Sequence, residues 1–336
     1  MIRTLFLMGA SDRKEQNTVS REAIAPGLFK IDAGLTGVVP ILNYVMNDRT
    51  LSPHSEPILV GVHGVQLPSN SRVNLFNLVG DPDASVTALR NIQLMAGKIQ
   101  PLRFFNRPID VFKTSRERLP RTLAEIPGCI VPRTELAHPT TLVEVHTVCE
   151  KFGSWPIIVR AKGYHGGSCM FLLQEPAQLE SFKDFSWLYE GIYIIEFIDY
   201  KNEDGLYQKN RVMIVDGVAY PRHAIFFDQW LIHASSRLGL MSHDLGLCRR
   251  EESFLAHLRD NAMGEYARIF DDIYQRIGLD VFGIDFAIVD GQMVIFEANA
   301  CMSFLDMQHH VDSRYQYLDS HVKNLRRAVK KMLVSA

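Results

Sequence analysis

The sequence predicts a mixed α/β protein: an N-terminal parallel α/β region followed by regions built on antiparallel hairpins. From residue 58 onward, short apolar runs alternate with amphipathic stretches, the strand–helix–strand order of a parallel sheet with crossover helices. Further along, the dipeptides Asp216-Gly217 and Asp290-Gly291 each sit between two apolar runs, a strong short-range signal for a β-hairpin. At 336 residues the chain is also long for one compact core, which implies two or three domains.

Composition excludes several classes of function. Hydrophobic residues make up 47% and charged residues 22%, the balance of a globular protein. A formal net charge of −2 carries no electrostatic footprint for nucleic acid or a membrane surface, so neither is expected as a partner. The five cysteines lack C-x-x-C spacing, which fits free thiols in a reducing compartment better than a disulfide framework. The apolar run Leu5 to Ala10 is too short and too soon followed by charge for a signal peptide, and no window approaches membrane-spanning length. A cytoplasmic protein is expected, with a homodimer as the default oligomer.

In chain order, Ile2 to Met8 reads as a first strand, and residues 1–56 otherwise carry no assignable chemistry. Ile58 to Val62 and Leu75 to Val79 read as short buried strands. Gly80-Asp81-Pro82-Asp83 then reads as a helix start, with Asp81 as N-cap and an apolar face of Leu89, Ile92, Leu94, Met95 and Ile99. Gly61, Gly64 and Gly80 do not form a G-x-G-x-x-G pattern, so no dinucleotide site is assigned, and His63 is read as a loop histidine. Leu102 to Phe105 is a strand, helical segments follow from Asn106-Arg107-Pro108 and over Ser115 to Leu123, and Cys129 to Pro132 is strand-like. The run Lys113, Arg116, Arg118, Arg121 is ordinarily a solvated helix face.

Residues 139–152 have helical spacing, with Leu142, Val145, Val148 and Phe152 on one face. Trp155 to Leu173 then reads as strand, glycine-rich loop and strand. Arg160 and Lys162 share a face if the first strand extends that far, and Gly166, Gly167 and Ser168 form the loop. Such a loop can bring backbone N–H groups close to phosphate, although glycine-rich hairpin loops are also common without that role. Gly191 to Ile198 is a buried strand interrupted by Glu196, and Asp199 to Asn210 a polar loop.

The hairpin around Asp216-Gly217 displays Arg211 and Arg222, placed either to stabilise transferring phosphoryl groups or simply on the surface. Residues 226–246 are irregular and long enough for a binding loop, with Trp230 and His233 among them. Glu251 to Ile277 reads as one long helix and Arg314 to Leu333 as another, while His309, His310 and Asp312 suit a loop or helix start better than a metal cluster.

The most informative stretch is VFGIDFAIVDGQMVIFEANA, residues 281–300. Asp285 and Glu297 are embedded among Phe282, Ile284, Phe286, Ile295 and Phe296, where an uncompensated carboxylate costs several kcal/mol. A strict two-residue turn pairs position 285 with 296 and sends Glu297 to the opposite face. A three-residue loop or a bulge pairs 285 with 297 instead and gathers Asp285, Glu297 and Asn299 into an all-oxygen site suited to Mg²⁺. A bulge or longer loop is therefore expected.

In this order of elements the sequence resembles the ATP-grasp superfamily over residues 75–300, in particular its glutathione synthetase/RimK-type carboxylate–amine ligases. The resemblance rests most on GIDFAIVDGQMVIFEANA, with support from Asn106-Arg107-Pro108, IIVRAKGYHGGSCM, Tyr193 to Ile198, and Asn210 to Gly217. It implies an N-terminal α/β domain (1–105), linker helices (106–138), a small lid domain (139–190) and a C-terminal antiparallel domain with helices (191–336). It also implies ATP as co-substrate, with Mg²⁺, or Mn²⁺ in its place, on Asp285, Glu297 and Asn299. Nucleotide contacts are implied for Arg116, Arg160, Lys162, Gly166, Gly167, Ser168, Glu196, Phe197 and Ile198, and a catalytic role for Arg211, with its hairpin neighbour Arg222 as a second candidate. Arginine stands at Arg116 and Arg160 where the family usually has lysine, keeping the charge but substituting a planar fork. Lys209-Asn210 stands where an acidic residue is common.

The activity the resemblance implies is ATP-dependent ligation of a small carboxylate to an amine, an amino acid or peptide, through an acylphosphate. An ATP-grasp small-molecule kinase and a non-catalytic nucleotide-binding protein are the alternatives.

Overall fold

The computed structural model describes residues 2–12, 17–25, 28–35, 39–60, 72–164, 167, 169–183, 190–261, 266–307 and 312–336, with backbone alone for 17–25, 28–35 and 260–261. His63, His165, Gly166, Ser168, His309 and His310 lie outside the described residues.

Strand β1 (Arg3–Gly9) is followed by the antiparallel pair β2 (Asn17–Ala25) and β3 (Leu28–Leu35), helix α1 (Leu42–Asn47), β4 (Ser55–Val60), β5 (Val73–Asn77), α2 (Val86–Ile99) and β6 (Phe104–Phe105). Strands β4-β1-β5-β6 form one all-parallel sheet, as the alternating pattern requires. Phe6, Phe76 and Phe105, from β1, β5 and β6, stack in sequence at centroid separations of 5.5 and 5.3 Å. The helix expected from residue 80 begins at Val86 instead. Asp81 folds the preceding turn on itself, its Oδ1 accepting from the Asp83 and Ala84 N–H groups at 2.8 and 3.1 Å.

Two short helices, α3 (Pro108–Val111) and α4 (Leu119–Thr122), lead to β7 (Cys129–Ile130). Next come β8 (Thr134–Ala137), α5 (Leu142–Phe152), β9 (Ile157–Ala161), β10 (Met170–Leu173) and β11 (Ile192–Glu196). The small antiparallel sheet has the order β10-β9-β11-β8, so it draws its β8 edge from the stretch expected to be linker. Helix α5 starts where the Thr141 side chain accepts the Glu144 N–H, and it stops at Gly153 with φ of 75°. Val145, Cys149 and Phe152 from α5 pack on Ile157, Val159, Ile192 and Ile194, giving this sheet a core of its own.

The remaining elements are β12 (Tyr207–Val215), β13 (Val218–Phe227), α6 (Leu240–His243), α7 (Leu245–Asn261), α8 (Ala267–Ile277), β14 (Val281–Val289), β15 (Gln292–Asn299) and α9 (Asp319–Val334). Strands β13-β12-β14-β15 are antiparallel, and β7 joins the β15 edge in parallel. The single helix expected over 251–277 is two, α7 and α8, with Tyr266 as the N-cap residue of the second. Both Asp-Gly turns adopt left-handed backbone, with φ of 51° and 80° at 216–217 and 49° and 75° at 290–291, which makes them tight two-residue hairpins.

Asn106 ties the parallel sheet to this larger one. Its side chain exchanges both hydrogen bonds with the Val281 backbone, at 2.8 and 2.9 Å, while its carbonyl accepts from the Asn77 amide at 2.8 Å. The apolar core runs continuously from Phe6 and Phe76 to Phe282 and Phe286. Among the described residues no helix is long and apolar enough to cross a membrane.

Candidate functional site

The site is organised by a bulge. The Asp290-Gly291 turn pairs Val289 with Gln292, and that register, continued, would set Asp285 opposite Phe296. Phe296 is instead the extra residue of a β-bulge in β15: Phe286 pairs with Ile295 and Asp285 with Glu297. The expectation of a three-residue loop or a bulge is met by the bulge. On the other side of β14, Asp285 pairs with Arg211 of β12. Three charged residues, Arg211, Asp285 and Glu297, therefore stand side by side across three strands, and directly paired residues share a face.

This row forms one wall of a cavity of about 440 Å³. Ile158 and Arg160 from β9, Met170 from β10, and Ile195 and Glu196 from β11 form another part of its lining. Of the residues expected in the site, Arg116, Arg160, Gly167, Glu196, Phe197, Ile198, Arg211, Asp285, Glu297 and Asn299 all line this cavity.

Within the row the charges are closely paired. Arg211 grips Asp285 with a two-pronged contact, Nε to Oδ1 at 2.7 Å and Nη2 to Oδ2 at 2.9 Å, and Lys209 reaches Oδ2 at 3.3 Å. Burial pushes the Asp285 carboxyl up, but Arg211 and Lys209 outweigh it and hold the group below its ordinary range. Arg116 donates to Glu297 Oε1 at 2.6 Å and approaches Asp83 at 3.5 Å. Asn299 donates to the same Glu297 oxygen at 2.7 Å and accepts the Cys301 N–H at 2.8 Å.

Arg160 is placed differently. It is buried, with Nη2 donating to the Tyr164 carbonyl at 2.5 Å and Nη1 near the Met170 sulfur at 3.9 Å. Its Nε has no hydrogen-bond partner, and no carboxylate forms an ion pair with it among the described residues. Burial and then the charge of Arg116 push its pKa down to about 10, which still leaves it a cation at neutral pH. A buried guanidinium that borders a cavity and lacks a carboxylate partner has the chemistry to receive an anion.

Two expected residues are not brought to the cavity. Strand β9 ends at Ala161, so the alternation that would align Lys162 with Arg160 stops one residue short. Lys162 is absent from the lining, and its backbone N–H bonds the Gly191 carbonyl at 2.9 Å. Arg222 is the extra residue of a second bulge, because Arg211 pairs with His223 and Val212 with Pro221. Its guanidinium turns away from the lining to the carbonyls of Phe304 and Asp306, at 3.1 and 3.3 Å, and its placement does not support the catalytic role expected of it. Sequence reasoning noted Lys209 only as standing where an acidic residue is common, not as a site residue; it lies two residues before Arg211 on the same face of β12, a period-2 signal that could have found it. Trp230, His233 and Cys301 also line the cavity from irregular segments that carry no such signal.

The donor chemistry of Asp285, Glu297 and Asn299 fits a hard divalent cation. Among the described residues no group of three or more His, Cys, Asp and Glu side chains gathers in a metal-binding arrangement. Mg²⁺, however, commonly takes only one or two carboxylates and completes its shell with phosphate and water. Asp285 Oδ1 keeps a lone pair beyond the one used by Arg211, and the Asn299 carbonyl oxygen keeps one beyond the Cys301 contact, whereas Asp285 Oδ2 already faces both Arg211 and Lys209.

Comparison with solved structures identifies this arrangement as the ATP-grasp fold. D-alanyl-alanine synthetase A from Vibrio cholerae superposes with a TM-score of 0.53 over 99% of both chains at 11% identity. A D-cycloserine synthetase superposes with a TM-score of 0.51 over 96% of this chain and 99% of its own, at 12% identity. A RimK domain ATP-grasp protein from Sphaerobacter thermophilus gives a TM-score of 0.49 at 11% identity, over 95% of this chain and 99% of its own. No protein-family model matches the sequence, and no curated protein matches it. The chain thus has the fold of these synthetases, the ATP-grasp fold, and identities this low define the fold alone.

Proposed function

We propose that the protein is an ATP-dependent ligase that joins a small carboxylate, an amino acid or peptide, to an amine through an acylphosphate. The observation that carries this reading is the contrast inside one cavity: the unpaired cation Arg160 borders the same space as the fixed row Arg211–Asp285–Glu297. That is an anion receptor next to a preorganised charge array. The names of the D-alanyl-alanine synthetase and the D-cycloserine synthetase, whose TM-scores are 0.53 and 0.51, agree with it.

In this reading the adenine occupies the part of the cavity lined by Ile158, Met170, Ile195 and the Glu196–Ile198 strand end. The phosphates extend toward Arg160 and Arg116, whose positive charges are fixed before the nucleotide arrives and need no reorganisation as charge develops. Asp285, Glu297 and Asn299 would hold Mg²⁺, which supplies charge neutralisation to the phosphates when bound. Arg211, oriented by both Asp285 oxygens, presents its remaining donor surface to the group being transferred. Lys209 adds a second cation on that strand face. The apolar walls limit water, which protects an acylphosphate from hydrolysis until the amine attacks.

The test is ADP and phosphate release with Mg-ATP against pooled amino acids, dipeptides and small carboxylic acids, with mass spectrometry of the products and Glu297→Gln as control. Substrate-dependent ADP release with a dehydrated, condensed product, lost in the control, is the expected result. A phosphorylated product without condensation replaces the ligase with a kinase. Tight ATP binding with no ADP from any substrate points to a nucleotide-binding protein without turnover.

A further inference from the structure

Lys209 of β12 touches both the charged row and the segment that follows β13. Its Nζ donates to the carbonyl of the buried Ile232 at 2.6 Å and stands 3.3 Å from Asp285 Oδ2. That same oxygen accepts from Arg211 Nη2 at 2.9 Å, so one carboxylate meets two cations. The other acid of the row is also engaged: Glu297 Oε1 accepts from Arg116 at 2.6 Å and from the Asn299 amide at 2.7 Å. Lys209 lines the cavity with its side chain only 18% exposed, which leaves little water to screen its charge.

The two cations on Asp285 differ in what they do. Arg211 fixes the orientation of the carboxylate through both oxygens, and that pairing by itself compensates the buried charge. Lys209 touches one oxygen only and is itself held by the Ile232 carbonyl, which keeps the ammonium against the row instead of letting it swing to solvent. What it adds is one positive charge more than Asp285 can neutralise. A divalent cation approaching Asp285, Glu297 and Asn299 alone therefore meets, at Asp285, a carboxylate whose charge is already exceeded. A nucleoside triphosphate reverses that balance, because it brings several negative charges for the metal and the surrounding cations to share.

We propose that Lys209 makes metal uptake conditional on the nucleotide: its ammonium keeps a divalent cation off Asp285, Glu297 and Asn299 until a nucleoside triphosphate supplies the countercharge. The inference rests on the metal and nucleotide reading above and adds to it the order in which the two arrive.

The test uses Mn²⁺ as the probe, the free ion being counted by electron paramagnetic resonance as the full chain is titrated without nucleotide. Wild type is expected to bind Mn²⁺ at least about tenfold more weakly than Lys209→Gln, the low end of what one unit charge a few ångströms away is worth to a divalent ion. Lys209→Gln keeps a donor without the charge and leaves Asp285 paired with Arg211. Lys209→Arg, which keeps the charge, is expected to bind as weakly as wild type. Equal Mn²⁺ affinity in wild type and Lys209→Gln overturns the proposal, as does a gain of binding in Lys209→Arg. Adding Asp285→Asn to Lys209→Gln should abolish the gained binding; its survival would put the ion elsewhere and overturn the assignment. Calorimetric titration with the β,γ-imido analogue of ATP, with and without Mn²⁺, separates the inference from the reading beneath it. In wild type Mn²⁺ should strengthen analogue binding, and by a larger factor than in Lys209→Gln, because linkage between two ligands is reciprocal. An equal factor in the two proteins overturns the proposal while leaving the nucleotide reading intact. If wild type binds the analogue under neither condition, the nucleotide reading falls and this inference with it.

Discussion

The two sheets that border the cavity treat their arginines in opposite ways. On β12, Arg211 is locked to Asp285 by a two-pronged ion pair in the middle of a row of paired charges. On β9, Arg160 is buried without a carboxylate partner among the described residues and with an idle Nε donor. The first arrangement compensates its own desolvation; the second does not, and becomes favourable when an anion arrives. In the proposed reading one arginine is part of the scaffold of the site and the other its receptor, a division that residue type alone would not reveal.

Breaking the scaffold side should have the largest effect. Asp285→Ala leaves Arg211 and Lys209 facing each other in a buried position with no carboxylate between them, and is expected to cost about 3–5 kcal/mol, the usual penalty for removing one member of a buried ion pair. Urea denaturation would show a lower midpoint, and nucleotide-dependent ADP release should be lost with it. A variant as stable as wild type would mean that the row is not a coupled array.

The receptor side should separate stability from binding. Arg160→Met removes an uncompensated buried charge, so its denaturation midpoint should stay level or rise. Its affinity for the triphosphate should fall about ten- to a hundredfold, the worth of hydrogen bonds from a charged donor. A fall in stability without a change in nucleotide affinity would reverse the assignment of the two arginines.

Two aspartates sharpen the same contrast through pH. Asp285 is held below the ordinary value of 3.8 because Arg211 and Lys209 outweigh burial. Its ionised form therefore stabilises the fold above the unfolded value, and that contribution is lost as pH falls through the folded one. Asp83 is raised above 3.8, burial outweighing Arg116, although the Tyr193 hydroxyl donates to it at 2.6 Å. Its protonated form is the one the fold favours, so its contribution is present in acid and is lost as pH rises through the folded value. From pH 3 to pH 7, the stability of Asp285→Asn relative to wild type should fall and that of Asp83→Asn should rise, as measured by denaturation at each pH. Parallel slopes would contradict the opposite environments assigned to the two groups.

The contrast between the two arginines also marks what could be read in advance. Asp285, Glu297 and Asn299 were legible because carboxylates inside apolar runs conflict with burial, and period-2 arithmetic forces either a bulge or a longer loop to reconcile them. The parallel first sheet and both hairpins followed from alternation and Asp-Gly turns. Arg222 misled because a bulge in β13 shifts it out of the alternation, and nothing local announces that bulge. The break between α7 and α8 was missed because both helices carry apolar residues at helical spacing and the spacing alone does not fix where one ends. His233 was noticed only as part of a long loop, since its crowding depends on Gly167, a turn residue between β9 and β10 that is distant in sequence.

The bulge itself can be separated from the turn that precedes it. Gly291 has φ of 75° and open space around its missing β-carbon, so Gly291→Ala meets no steric contact and costs only the left-handed backbone penalty of about 1 kcal/mol. Gly283, beside the charged row and paired with Asn299, has ordinary backbone, but a β-carbon there would collide with the sulfur of Met302 and come within 2.9 Å of that of Met213. If the bulge at Phe296 rather than the turn sets the pairing of Asp285 with Glu297, Gly291→Ala should lower the urea midpoint slightly and leave nucleotide affinity unchanged. Gly283→Ala should disturb both. Loss of affinity in Gly291→Ala would place control of the register in the turn, because a slip by one residue would carry Glu297 to the opposite face of the sheet.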